Sequence, residues 1–280
     1  MSVKIITDSG SDMSQERAKK LGIRVIPLTF RFGTEEYLDG VTMSSKEFYE
    51  RMEREEELPK TSQIPPYRYG EVFKEETADG SDAIYICISS GVSGCVQSAT
   101  LAASEFDGKV RVFDSKHFCI SEALLAEYAK RLADEGKGLD TIYSELEKAR
   151  EKVRIIAVFA TLENLRKGGR ISSTAAFVGE MLSIKPFITI TDGGVGVLGK
   201  VRGMKKGFQA MREYILNEGG IDPDMPCGFA YSGSDDTNIK EFIEKNRDLY
   251  PDREIPLSYV GATVGTYAGA DAVATAYFVK

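Results

Sequence analysis

The chain has 280 residues, 42% of them apolar, and a formal net charge of −7. That is enough sequence for two cores, and the wrong sign for nucleic acid or an anionic membrane as main partner. No apolar run approaches the ~20 residues of a membrane span. The four cysteines (Cys87, Cys95, Cys119, Cys227) show no Cys-x-x-Cys pairing, so reduced thiols are expected rather than a disulfide framework or zinc site. A single histidine, His117, must serve any Ser-His-Asp triad or metal site; structural or surface duty is its expected role.

Residues 3–7 form an apolar strand that begins at once, leaving no room for a signal peptide, and a cytoplasmic location is expected. The strand ends in Thr7-Asp8-Ser9-Gly10-Ser11-Asp12. Two carboxylates could suit Mg²⁺, but Asp at such a turn reads better as a cap or loop-bracing acceptor. A helix capped by Ser14 and stopped by Gly22 follows, then a strand over Ile23 to Phe30 and a hairpin-like excursion through Gly33 and Gly40. Ser44 to Glu57 is a charged helix with Phe48, Tyr49 and Met52 on one face. Prolines 59, 65 and 66 hold the next loop extended while Thr61, Ser62 and Gln63 present polar groups, and Pro66 opens a helix to Thr77.

Ile84-Tyr85-Ile86-Cys87-Ile88 reads as a buried parallel strand, broken at Ser89-Ser90-Gly91-Val92-Ser93-Gly94 and followed by a small-residue helix. Backbone N–H groups and hydroxyls at a helix N-terminus favour an anionic ligand group such as a carboxylate or small phosphate. The loop lacks a P-loop lysine and dinucleotide spacing. The alternative is an ordinary turn, with glycines for tightness and serines as caps.

Strand 110–115, helices 122–135 and 140–153, and strand 154–159 continue an alternation that predicts a Rossmann-like parallel sheet. Ligands in such sheets bind at the carboxyl ends of the strands, where hydroxyls recur here. The second half changes character. A short helix ends in Gly168-Gly169-Arg170, and a small-residue helix covers Thr174 to Ser183. A hairpin turns at Asp192-Gly193-Gly194, an amphipathic helix covers 204–218, and a strand, a helix, a strand and a glycine-rich tail complete a mixed α+β unit. The expected fold is therefore α/β, with an N-terminal parallel-sheet domain over 1–158 and an α+β domain over 159–280.

Taken together, Thr7-Asp8-Ser9, Thr61-Ser62-Gln63, Ser89 to Gly94 with Gln97-Ser98-Ala99, Asp114-Ser115, Leu165 to Ile171, Ile184-Lys185-Pro186 and Lys200-Val201-Arg202 resemble the DegV family of fatty-acid-binding proteins over almost the whole chain. The resemblance implies two α/β domains enclosing one long-chain fatty acid in an apolar tunnel. Its carboxylate would be held by hydroxyls mapping to Thr61, Ser62 and Ser93, with the loop backbone at Gly94. Where a fatty-acid kinase exists, such proteins present the acid for acyl-phosphate formation, and Arg170 and Arg202 map to positions implicated in engaging kinase or phosphate. No enzyme activity, cofactor or metal is implied. The usual C-terminal His-Thr-Gly-Pro-Gly-like segment is here Gly265-Thr266-Tyr267-Ala268-Gly269-Ala270-Asp271. Thr266 and Tyr267 thus map to the ligand head, with a phenol where the family has an imidazole that titrates near neutral pH, and Asp271 adds a carboxylate. Other readings are a hydrolase using Ser93, a kinase using the Ser/Gly loop, or a divergent carrier of another amphipathic carboxylate. Ser93 lacks an evident base, and neither a P-loop lysine nor a Mg²⁺ carboxylate set is present.

Overall fold

The computed structural model describes residues 2–171 and 183–280; the small-residue helix expected over Thr174 to Ser183 lies almost wholly outside them. The chain opens with β1 (Val3–Asp8), a 3-10 turn at Ser9–Ser11, α1 (Gln15–Leu21) and β2 (Ile23–Ile26). Ser14 caps α1 by accepting from the Arg17 N–H, and Gly22 ends it at φ +66°. The single strand expected from Ile23 to Phe30 is two, because Pro27 has no N–H to give a ladder. β3 (Thr29–Phe32) leaves the first sheet and joins β4 (Glu35–Leu38) and β5 (Lys60–Ser62) in a small antiparallel sheet of order β4-β3-β5. The segment read as an extended loop is thus a strand, with Thr61 opposite Phe30. Between β4 and β5 lies α2 (Ser45–Met52), opened by a Ser44/Glu47 capping box.

The expected strand–helix alternation follows: α3 (Pro66–Glu76), β6 (Asp82–Cys87), α4 (Cys95–Ala103), β7 (Val110–Asp114), α5 (Ile120–Asp134) and α6 (Leu139–Lys152). β2-β1-β6-β7 make a four-stranded, all-parallel sheet. β8 (Val153–Val158), expected to finish that sheet, belongs to a second one. It pairs antiparallel with β9 (Ile184–Thr191) and β13 (Val273–Phe278). Ile155 and Ala157 face one core and Ile156 and Val158 another. A strand buried on both faces reads the same in either kind of sheet, so the apolar run could not show which it joins.

The remaining elements are α7 (Glu163–Lys167), β10 (Gly194–Arg202), α8 (Met204–Asn217), β11 (Cys227–Tyr231), α9 (Thr237–Asn246), β12 (Leu257–Tyr259) and α10 (Ala262–Ala268). The second sheet runs β10-β9-β8-β13-β11-β12, antiparallel except for β11 and β12. The tail read only as glycine-rich therefore supplies α10 and an interior strand of the larger sheet. α5 packs on β1 and β6 of the first sheet and on β8, β11 and β13 of the second. Nine of its fifteen residues are buried, as a helix enclosed by two sheets requires.

Candidate functional site

Asp8 builds one rim of the site. At the end of β1 its Oδ2 accepts from the Ile88 N–H (3.0 Å) and the Tyr85 hydroxyl (2.6 Å), while Oδ1 accepts from Gly10 N–H (2.8 Å). Burial pushes its carboxyl up to about 6 against these bonds, which favour the charge. Asp8 thus braces the start of the Ser/Gly loop, the bracing role expected of it. Within the loop, Val92 and Ser93 donate their N–H groups to Ser89 O. The Ser89 hydroxyl donates to Gly193 O (2.7 Å) in the β9–β10 turn, and the Ser90 hydroxyl donates to Asp114 Oδ2 (2.5 Å) at the end of β7. Gly94 stands at the N-cap of α4, which has no side-chain cap bond there, and Ser93 Oγ accepts from Cys95 N–H at 3.3 Å. A helix start whose N-cap glycine offers no side chain, with only a long bond from Cys95 to Ser93, can receive an anion.

That loop forms one wall of a cavity of about 150 Å³. β5 brings Thr61 and Ser62 to it, the loop brings Ser93 and Gly94, the segment after α7 brings Arg170, and α10 brings Tyr267. Thr61 Oγ1 and the Tyr267 hydroxyl are hydrogen-bonded at 2.6 Å. Arg170 lies over the Tyr267 ring with its guanidinium carbon 4.6 Å from the centroid, donating to Gly168 O (2.8 Å) and Val92 O (3.4 Å). Among the described residues no carboxylate pairs with Arg170. The cavity therefore carries hydroxyls, a helix start and one guanidinium at one end, and apolar walls elsewhere.

Thr266 does not line the cavity: its hydroxyl is buried and donates to Ala262 O at 2.8 Å, because the residue before Tyr267 points to another side of α10. Arg202 is exposed at the end of β10 and is not part of the wall. Asp271 is likewise exposed and outside it.

The walls that sequence reasoning missed are mainly apolar, with Phe118, Phe159, Ile188, Val264 and Ala268, beside one polar residue, Thr263. The five apolar ones also border a second chamber of about 40 Å³, otherwise lined largely by alanines and other apolar residues, including Ala157, Ala230, Ala272 and Ala274. No pattern separates a wall residue of this kind from core. The run of alanines is the one signal, since small side chains on facing strands leave space.

The geometry is poor for a serine hydrolase. His117 is buried away from the cavity, Nδ1 has no hydrogen-bond partner, and burial, with Arg150 and Arg154 adding to it, pulls the imidazole down to about 4 despite a bond to the Arg150 backbone. Its burial rules out the surface option and leaves the structural one. Lys116 reaches a serine, but it is Ser90 (2.8 Å), and the ammonium is paired with Asp114 at 2.9 Å. Neither group bonds Ser93.

The chain is thus an α/β protein with a parallel sheet, a mixed sheet and an apolar cavity that ends in hydroxyls and a helix start. The profile described as "Uncharacterised protein, DegV family" matches residues 2–280, and the chain belongs to that family. A DegV domain-containing protein of Caldanaerobacter subterraneus is 35% identical over 275 residues, covering 96% of each chain. Among solved structures, a DegV family protein from Thermus thermophilus described as fatty acid binding is 30% identical, with a TM-score of 0.88 over 100% of both chains. DegV from Bacillus subtilis, described as a fatty acid binding protein, is 29% identical with a TM-score of 0.86 over 100% of both chains. Among the described residues no helix is long and apolar enough to cross a membrane.

Proposed function

We propose that this protein binds one long-chain fatty acid as a carrier, without transforming it. The observation that supports this most is the division of the cavity into an apolar body and a single polar end. Thr61, Ser62 and Ser93, the backbone at Gly94 and the Arg170 guanidinium would share the carboxylate, and the tail would run past Phe118 and Phe159 toward the alanine-lined chamber. Hydroxyls and N–H groups meet a carboxylate's lone pairs, and Arg170 offsets its charge. Each buried methylene contributes ~0.8 kcal/mol before ordering costs, so the tail would supply most of the affinity. The fatty acid binding described for the Thermus thermophilus and Bacillus subtilis relatives supports the same ligand class.

Ser62 and Gln63 at the polar end are exposed, so a bound head group would lie within reach of a second protein. This favours presentation to a fatty-acid kinase where the cell has one, with Arg170 beside the reacting group and Arg202 as a contact outside the cavity. The test is native mass spectrometry of freshly purified protein, then denaturing extraction and identification of the ligand. A stoichiometric fatty acid of ~16–18 carbons is expected, a length that gains from tunnel burial. An empty protein that also refuses added palmitate would sink the carrier reading. Loaded protein offered to a fatty-acid kinase with ATP should yield acyl phosphate; none forming would remove presentation and leave binding intact.

A further inference from the structure

Seven residues make α10, too few for a helix to persist on its own. It nevertheless carries Thr263, Val264, Tyr267 and Ala268, four parts of the cavity wall. Its N-cap is Gly261, which has no side chain to satisfy the first amides. Those amides are met from the other end of the chain. Gly261 N–H donates to Asp12 Oδ1 (2.7 Å), while Ala262 and Thr263 donate to the two oxygens of Asp39 (2.8 and 3.0 Å). Both carboxylates are buried, Asp39 at 3% and Asp12 at 7% exposure. Carboxylate bonds to backbone N–H are among the stronger hydrogen bonds, and negative charge at a helix N-terminus is favoured by the dipole.

Asp39 follows β4 directly, and its own N–H donates to Leu28 O, beside β3. It thereby belongs to the small sheet whose β5 carries Thr61 and Ser62. At the far end of α10, Tyr267 bonds Thr61 of the same sheet. The helix is held to the small sheet at both ends, once by amide bonds to a carboxyl group and once by a hydroxyl pair.

We propose that Asp39, with Asp12 beside it, is a positioning residue for ligand binding: its two carboxylate oxygens seat the N-terminus of α10 and so set Val264, Tyr267 and Ala268 against the cavity. The inference rests on the carrier reading for its ligand but not for its geometry. Asp39→Asn keeps the shape and replaces one acceptor by an N–H₂ group that faces a backbone N–H.

Hydrogen exchange of the amides at 261–268 and palmitate affinity would be measured on Asp39→Asn, Asp12→Asn and the parent chain. For Asp39→Asn, exchange at 261–263 should rise about tenfold to a hundredfold through local opening, at a free energy well below that at which the β1 and β6 amides exchange, and the midpoint of global unfolding should fall by no more than the one bond lost. Palmitate should bind about tenfold more weakly, mainly through faster release. Asp12→Asn, whose amide oxygen can keep the single bond from Gly261 because Asp12 Oδ2 accepts nothing, should show the same pattern less strongly. Unchanged exchange at 261–263 would overturn the clamp. Faster exchange with unchanged palmitate affinity would overturn its part in binding. A parent chain that takes up no palmitate would count against the carrier reading alone, because the exchange measurement still decides the clamp. If Asp39→Asn fails to fold, the role is purely structural and the proposal falls unless Asp12→Asn folds and shows the paired changes.

Discussion

Tyr267 is the most constrained side chain at the polar end of the cavity. One face of its ring lies against Gly168, where an added Cβ would sit 2.4 Å from the ring carbons. Arg170 covers the ring, and the hydroxyl is tied to Thr61 at 2.6 Å. A carboxylate entering here can accept from whichever of the two hydroxyls does not donate to the other, so the two act as a unit. Tyr267→Phe and Thr61→Val should each weaken palmitate binding by about three- to tenfold, the loss of one net hydrogen bond. The double variant should lose less than the product, because either single change already breaks the pair. Competitive titration against a fluorescent fatty acid gives all four corners of the cycle; strictly multiplicative losses would mean that the hydroxyls act separately. Of the proposed site, local pattern marked only the polar Thr61–Gln63 stretch and the Ser/Gly loop with Ser93 and Gly94, because polar groups beside prolines and glycine turns stand out from their surroundings; Arg170 and Tyr267 came through the family resemblance. Phe118, Phe159 and Val264 could not, since an apolar wall and an apolar core have the same composition.

Two elements meet backbone to backbone at the Ser/Gly loop. A Cβ on Gly91 would lie 2.6 Å from Gly193 O and 2.8 Å from its carbonyl carbon, atoms of a turn that cannot swing aside. Gly193 itself has φ +78°, which an L-residue rarely adopts. The turn joins β9 and β10, which bring Ile188 and Val195 to the cavity. Gly91→Ala should therefore push the hairpin outward and break the Ser89–Gly193 bond, destabilising by ~1–3 kcal/mol. Gly94→Ala would meet only Gln63 Oε1, at 1.8 Å, the end of a flexible side chain. Thermal unfolding should show Tm lowered by ~2–4 °C per kcal/mol lost for Gly91→Ala and little changed for Gly94→Ala, which instead alters palmitate affinity through the displaced Gln63. The reverse order would refute this account of the loop. Element type was legible where a local cause fixes it: the Ser14 cap, the Ser44/Glu47 box, the Asp192-Gly193 turn. Sheet membership was not, because β8 and β13 are placed by partners more than a hundred residues apart. Pro27 and Lys60–Ser62 show the same limit, since a strand of three or four residues is decided by the neighbour it finds.

At the scale of the whole molecule, α5 ties the two sheets together, and the buried titratable groups set how its stability responds to pH. Asp8, raised to about 6 chiefly by burial, binds its proton more tightly folded than unfolded. Its contribution is fully present below the unfolded value near 3.8 and is lost as pH rises through about 6. Asp12, Asp39 and Glu122 are raised in the same direction, again chiefly by burial. His117 is the opposite case. Lowered to about 4 by burial, with Arg154 and Arg150 adding to it, it contributes stability that is complete above its unfolded value near 6.5 and is lost as pH falls through about 4. Each of these two displacements corresponds to about 3 kcal/mol. The His117 effect has the opposite sign in the same window, so in the parent chain it offsets part of the acids' contribution. Substitution separates them. The unfolding free energy of the parent minus that of His117→Gln should rise by about 3 kcal/mol between pH 4 and 6.5 and stay level above. The parent minus Asp8→Asn should fall by a similar amount between pH 4 and 6 on top of a constant offset, because the asparagine leaves one of the Gly10 and Ile88 amides without an acceptor. Urea titrations at half-unit pH steps measure both curves. A level His117 difference would mean that the imidazole is solvated in the folded state.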